Sequence, residues 1–499
     1  LTQSDYILTV DLGTSSIKTI GYSLSGEIVF RYSSQCTILR PDKLICEQDP
    51  DVLFTDTLQA LRKAVYDVGN PKAIVFSCAM HGLIAIDKKG VPLTNLITWA
   101  DNRSFNQLED LKSRDLGARL FNLTGTPLHT MSPLLKVKWI KENEPDIFSK
   151  TEKFVSLKEY IIYRLTGHYY IDFSLASATG FFNIHNFTWE KKALDFAGIS
   201  ESLLSQPVEI FYSVSDWDQT VTGASPGKKF PIIIGSSDGC LANYGAGAFT
   251  SDVPALTLGT SGALRVISDK PIEGASTGLF SYILERDRYV CGGPVNNAGI
   301  LFKWYSKVFG DRENSEDQIF SDIDRLISAT KPGADGLICL PYLLGERAPV
   351  WNPLARGVFA GVDYNHSREH FLRAIAEGMI MNLYQIAEPL ITRFGAFSKL
   401  KAGGGVVRCR TILQIIADVF NVEVEISDDH DHSNYGAFLV AYRSLYGKEF
   451  QKEEIISESV QPDSENVKIY TELFGIFKGI YSRHEEDYVK INNLLQKLP

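Results

Sequence analysis

The chain has 499 residues, 44% hydrophobic and 22% charged, which is too long for one hydrophobic core and ordinary in composition for a soluble globular protein. With 50 basic against 60 acidic residues, a net charge of −10 and no lysine- or arginine-rich tract, it is not a protein that binds nucleic-acid backbone by charge alone. No apolar run approaches the roughly 18 residues a membrane span needs, the start LTQSDYILTV lacks the plan of a secretory signal, and the 7 cysteines are scattered without a C-x-x-C pair. A reduced, cytoplasmic protein acting on small molecules is expected, with a homodimer left open.

In chain order, YILTVD reads as a buried strand ending in an acid, followed by a turn and a second strand around IKTIGYSL. GEIVFRYS adds a third antiparallel strand after the Ser25-Gly26 turn. DVLFTDTLQALRKAVYDV has helical apolar spacing, and KAIVFSCAM returns to a strand. Residues 104–166 read mostly as helices, broken at GTPLH and ENEP. PIIIGSSDG reads as a strand ending in a polar turn, followed by the small-residue stretch GCLANYGAGAF. VPALTLGTSGALRVIS is again strand, Gly-Thr-Ser turn, strand. Residues 449–499 are charged and helical and are expected at the periphery.

Leu-Gly-Thr-Ser thus occurs at residues 12–15 and again at 258–261, about half the chain later and in the same strand–turn–strand setting. Two similar α/β units, 1–249 and 250–499, are the economical reading. Gly13 and Gly259 allow close backbone approach, and the adjoining hydroxyls and successive N–H groups suit an anion. Two such tips facing each other could hold a polyphosphate from opposite sides. Asp11, beside the first tip, is unfavourable there unless a cation intervenes, which points to Mg²⁺. Neither G-x-x-x-x-G-K-[ST] nor G-x-G-x-x-G is present. A plain hairpin turn explains either copy alone but not the pair.

Two longer stretches carry a resemblance. Met131-Ser-Pro-Leu-Leu-Lys136-Val-Lys-Trp139-Ile-Lys-Glu142-Asn143 resembles the first signature of the FGGY carbohydrate kinases, within the actin–hexokinase–sugar kinase superfamily. Gly357-Val-Phe-Ala-Gly361-Val, running on to His370-Phe-Leu-Arg-Ala-Ile-Ala-Glu377, resembles the second. The likeness covers residues from about 6 to 446 in order. CAMHGLIAIDKKGVPLTNLITWADNRS, SLKEYIIYRLTG, GGPVNNAGI and PGADGLICLPYLLGERAPVWN are most similar to the bacterial gluconokinases, with xylulokinases next.

The resemblance implies an α/β fold of two actin-like (ribonuclease H-like) domains with a cleft between them, and transfer of phosphate from ATP, with Mg²⁺, to a sugar acid. D-gluconate going to 6-phospho-D-gluconate is the expected reaction, and xylulose or a related polyol or ketose the alternative. It implies that Asp238 is the general base. Thr14, Ser15, Ser16 and Lys18 would hold phosphate from one side and Thr260 from the other. Gly299 and Lys303 would meet the nucleotide, and Gly404 and Gly405 would pack on adenosine. Val406-Val407-Arg408-Cys409 departs from the family's usual residues there. Asp11 would serve the metal. Met80, His81, Trp99, Asp101, Arg103 and Met131 would form the sugar pocket. Arg103 is offered as a bidentate partner for the gluconate carboxylate, against an internal ion pair with Asp101 or another acid.

Rival readings attach to smaller motifs. GSSDG also fits G-x-S-x-G, which would make Ser237 a hydrolase nucleophile, but that leaves the repeated tips unexplained. His366-Ser-Arg-Glu369-His370 fits H-x-x-E-H, although Ser367 is expected to cap the helix that follows. DDHDHSN, residues 428–434, reads as a metal loop or a solvated acidic loop. An actin-like nucleotide switch would share the phosphate clamp but has no need of a sugar pocket.

Overall fold

In the computed structural model, which describes residues 5–224, 229–274, 277–309, 316–427, 431–451, 456–495 and 497, the first three apolar runs form an antiparallel meander of β1 (Tyr6–Leu12), β2 (Ser16–Ser23) and β3 (Ile28–Gln35). All seven residues of β1 are buried, as befits a central strand covered on both faces. β4 (Ala73–Cys78) runs parallel to β1, β6 (Ile232–Ser237) parallel to β4, and β5 (Ser213–Val214) closes the edge antiparallel to β6. The sheet order is β5-β6-β4-β1-β2-β3.

The second sheet repeats this plan. It contains β7 (Ala255–Leu258), β8 (Gly262–Ser268), β9 (Phe280–Glu285), β10 (Arg288–Val295), β11 (Lys399–Gly403), β12 (Glu423–Ser427) and β13 (Ile456–Val460), in the order β9-β10-β8-β7-β11-β12-β13. The hairpin β7–β8, the antiparallel β10, the parallel β11 and β12 and the antiparallel edge β13 match β1–β2, β3, β4, β6 and β5 in turn. β9 is the one strand of this sheet without a counterpart in the first. The repeated Gly-Thr-Ser therefore occupies the same turn in two copies of one actin-like fold.

The helices connect and cover the sheets. α1 (Pro50–Val68) starts where Asp49 accepts from the N–H groups of Asp51 and Val52, with proline at the first turn. α2 (Pro133–Asn143) and α3 (Leu157–Thr166) belong to the helical region expected over 104–166, which also contains a short strand, Lys153–Val155. The polar turn expected at the end of β6 is already the start of a helix. The small-residue stretch is a helix, α4 (Asp238–Gly245), which begins without an intervening turn because Ser237 is its N-cap.

The second half adds α5 (Ile300–Phe309), α6 (Arg368–Phe394), α7 (His432–Tyr446) and α8 (Ser464–Leu495). The C-terminal segment is less peripheral than its charge implies. It supplies β13, and α8 buries Tyr470, Phe477 and Tyr488, with the Tyr470 hydroxyl bonded to Glu377 and Arg373 of α6. α7 follows the second sheet in sequence yet packs on the first. Phe438 and Val440 share a core cluster with Ile7, Val75 and Ile233, and the Thr9 hydroxyl donates to Asn434 at 2.6 Å. α4 and α7 cross so closely that a side chain at Gly245 would overlap the His432 carbonyl, and one at Gly436 the Leu241 carbonyl.

Candidate active site

The C-terminal ends of β1, β4 and β6 all open toward the second sheet, the position where parallel α/β sheets bind ligands. A cleft of about 760 Å³, counted to its open mouth, lies there. The first half contributes Met80 and His81 just beyond β4, Trp99, Met131, and Asp238 at the start of α4. The second half contributes Ser261 from the second Gly-Thr-Ser tip, Arg265 from β8, Phe280 and Tyr282 from β9, and Arg347. Five of the expected site residues thus meet in one wall.

His81 sits at φ +67° with its Nδ1 2.8 Å from the Ala178 carbonyl. A carbonyl only accepts, so Nδ1 carries the proton and Nε2 is left as an acceptor, 3.4 Å from the Tyr282 hydroxyl. Burial pushes the His81 pKa down to about 3, so the ring is neutral. The backbone beneath it is fastened by Lys136 of α2, whose ammonium is fully buried and donates to the carbonyls of His81 (2.5 Å), Thr98 (2.8 Å) and Ile97 (3.3 Å). Burial pulls that lysine down to about 7. Trp99 donates from its indole N–H to the Thr14 hydroxyl at 3.0 Å, which joins the pocket wall to the first tip.

Asp238 occupies the first turn of α4, where the free N–H groups of a helix start favour a carboxylate. Its Oδ1 accepts from the Gly239 N–H at 2.6 Å. Burial raises its pKa, and the Arg265 guanidinium works against that rise. Asp11, at the end of β1, accepts from the Ser77 hydroxyl at 2.6 Å. Burial, then the charges of Asp431 and Asp238, push it up to about 7. Lys18 is tied to Asp431 at 2.7 Å. Ser15 lies exposed at the first tip, with Ser16 at the start of β2.

At the second tip the N–H of Gly299 donates to the Gly259 carbonyl at 2.8 Å and that of Ile300 to the Thr260 carbonyl at 3.2 Å, so α5 starts against the turn. A Cβ at Gly299 would stand 2.7 Å from the Gly259 oxygen. Gly404, at φ +100°, has the Leu258 carbonyl where a side chain would go, whereas Gly405 faces open space. Thr260, Gly299 and Gly404 therefore converge, while Lys303 is exposed on α5. Cys409 is buried with its thiol on Asp324 at 3.0 Å, and burial pushes that thiol's pKa up, so it offers nothing to a base.

Comparison with known proteins decides what this arrangement belongs to. The N-terminal domain of the FGGY family of carbohydrate kinases matches residues 6–245 and its C-terminal domain residues 255–445. The chain belongs to this family. It is 36% identical over 512 residues to a gluconokinase of Bacillus licheniformis, across 99% of both chains. Among solved structures, the ligand-bound xylulose kinase from Lactobacillus acidophilus superposes with a TM-score of 0.93 at 32% identity, covering 98% of this chain and 100% of that one. The gluconate kinase from the same species gives 0.92 at 31%, covering 98% and 99%.

Within this carbohydrate kinase, the places given to Arg103 and Asp101 need correction, while Ser237 and Ser367 fall as the sequence reading preferred. The Arg103 fork is already closed: Nε and Nη2 each lie 2.8 Å from the Asp101 carboxylate, Nη2 also meets Glu47, and the face rests on Trp139. Asp101 is occupied in turn by Arg103 and the Cys46 N–H, so neither residue lines the cleft. Ser237 is no nucleophile. Its hydroxyl is buried, 2.6 Å from that of Ser174, and caps α4. Ser367 does stand at the N-cap of α6, with His370 accepting from its N–H and Glu369 from its hydroxyl. Of DDHDHSN, residues 428–430 lie outside the described residues, and Asp431 begins α7 as its cap. Arg265, Tyr282, Arg347 and Lys136 were not anticipated at the site, and Asp431 only as part of the acidic stretch DDHDHSN. The available signal was a lone arginine in the otherwise apolar strand of TLGTSGALRVIS.

Proposed function

We propose that this kinase transfers the γ-phosphoryl group of ATP to D-gluconate, giving 6-phospho-D-gluconate. The observation that supports it most is the full-length likeness to a gluconokinase in a chain whose cleft wall holds a carboxylate at a helix N-terminus beside a neutral histidine acceptor. In this reading residues 1–249 carry the acceptor and residues 250–499 the nucleotide. Asp238 takes the proton of the attacking hydroxyl, the ordinary task of a carboxylate in phosphoryl transfer. His81 Nε2 accepts from a second hydroxyl, while Met80, Met131 and Trp99 wall the carbon chain. The tips at Gly13–Ser16 and Gly259–Ser261 present N–H and hydroxyl groups to the phosphates, with Gly299, Lys303, Gly404 and Gly405 toward the nucleoside.

Mg²⁺ fits the residues present. Asp11 feels the charges of Asp431 and Asp238, opposed by the Ser77 hydrogen bond and the charge of Lys18, so a divalent cation held by Asp11 would relieve the crowding. No group of three or more ligating side chains is gathered among the described residues, which suits an ion that keeps its waters and takes phosphate oxygens. When bound it neutralises charge on those oxygens.

The likeness to a xylulose kinase structure supports a second reading, phosphorylation of a ketose. ADP release measured over sugar acids, ketoses and polyols tests both. Gluconate is expected to give the highest kcat/KM, with Asp238→Asn lowering kcat by about 10²–10⁴. Turnover of xylulose alone selects the second reading.

A further inference from the structure

Arg265 stands in the middle of β8, whose other residues are Gly, Ala, Leu, Val, Ile and Ser. Strand alternation sends Leu264 and Val266 into the core and Ala263 and Arg265 into the cleft. Its ladder partners are Gly292 and Ala255, neither of which has a polar side chain to meet it. Arg265 Nε and Nη1 are shut off from solvent and hydrogen-bond nothing among the described residues. No described carboxylate lies within the 4.0 Å of an ion pair. Asp238 is the acid whose charge it feels most, and burial pulls its pKa down. Buried donors of a cation are expensive to leave unmade, so such a group marks a place where something else completes it.

The other guanidinium in the wall is not in this condition. Arg347 donates from Nε to Asn296 at 2.7 Å and from Nη2 to the Val295 carbonyl at 3.1 Å, and lies over Trp99. It is a scaffold whose charge adds to that of Arg265 and makes the cleft attractive to an anion. We infer that Arg265 receives the carboxylate of the acceptor and sets the preference for sugar acids over ketoses and polyols. Asp238 and Arg265 face the same cleft without pairing, and a molecule with a hydroxyl at one end and a carboxylate at the other engages both. The inference rests on the sugar-acid reading proposed above.

Arg265→Gln and Arg265→Lys test it, assayed at about pH 8.5 so that Asp238 stays ionised when its cationic neighbour is removed. In the glutamine variant KM for gluconate should rise at least ~10-fold while KM for ATP moves less than about threefold, the range expected for losing hydrogen bonds to a charged group. The lysine variant should recover part of that loss. The rise in Tm that gluconate gives the wild type should shrink in Arg265→Gln, which also reports that the variant is folded. Equal rises in both KM values, or a fall in kcat with gluconate KM unmoved, would assign Arg265 to the transferring phosphate and overturn the inference with gluconate still the substrate. A wild type that turns over only neutral acceptors would instead bring down the sugar-acid reading itself, and this inference with it.

Discussion

Asp11 offers a test of how this site stores free energy. The residue is 8% exposed, and its carboxyl is moved from an ordinary 3.8 to about 7 by burial and by Asp431 and Asp238. The folded state therefore keeps a proton that the unfolded chain releases between pH 3.8 and about 7. Across that window the folded chain binds more protons, so stability falls as pH rises, and above it the full cost applies. At about 1.4 kcal/mol per tenfold, the cost at pH 8 is on the order of 4 kcal/mol. Asp11→Asn keeps an oxygen for the Ser77 hydroxyl and removes the charge. Thermal unfolding of wild type and variant, without nucleotide or metal, should show the variant more stable by up to ~4 kcal/mol near pH 8 and little different near pH 4. Its kinase activity should be severely reduced. A gain of equal size at both pH values, or a loss at pH 8, would refute the reasoning.

Two further outcomes follow from buried cations outside the chemistry itself. Lys136→Met leaves the His81 carbonyl without a donor, while those of Ile97 and Thr98 keep the N–H groups of Leu83 and Asp101, and should cost about 1–3 kcal/mol in urea unfolding. It should also raise acceptor KM more than ATP KM, because the backbone it fastens carries His81 and leads to Trp99. Arg103→Ala strands Asp101, 1% exposed, beside Glu47 and should cost about 3–5 kcal/mol. The ratio of kcat/KM for gluconate over xylulose should stay as in the wild type, and a collapse of that ratio would restore Arg103 to the acceptor site.

Much of this molecule is legible along the chain because its signals are local. The two Gly-Thr-Ser hairpins announce themselves by composition and setting, and the strands ending at Cys78 and Ser237 place Met80, His81 and Asp238 by simple continuation. What is not legible depends on meetings far apart in sequence. Arg103 looked available because a planar cation two residues from Asp101 reads equally as a ligand or as an internal pair, and only the approach of Glu47 settles it. Arg265 shows in the sequence only as a lone arginine in an apolar strand, and its place in the cleft comes from β9 and α4, which meet it in the fold. The polar turn expected after Ser237 is instead the first turn of α4, because the cap at Ser237 and a backbone crossing with α7, made far along the chain, hold the helix from its first residue. Asp431 lies far along the chain from Asp11, so no local pattern could pair them.

The crossing of α4 and α7 at Gly245 and Gly436 has a mechanical consequence. These two helices come from opposite halves, one beginning with Asp238 and the other capped by Asp431, and they touch backbone to backbone with no side chain between them. A joint of that kind has no interlocking knobs to resist a small swivel, yet it ties the helix that starts with Asp238 directly to the one capped by Asp431. A methyl group at either glycine would force the two backbones apart and shift Asp238 relative to Asp431 without touching either.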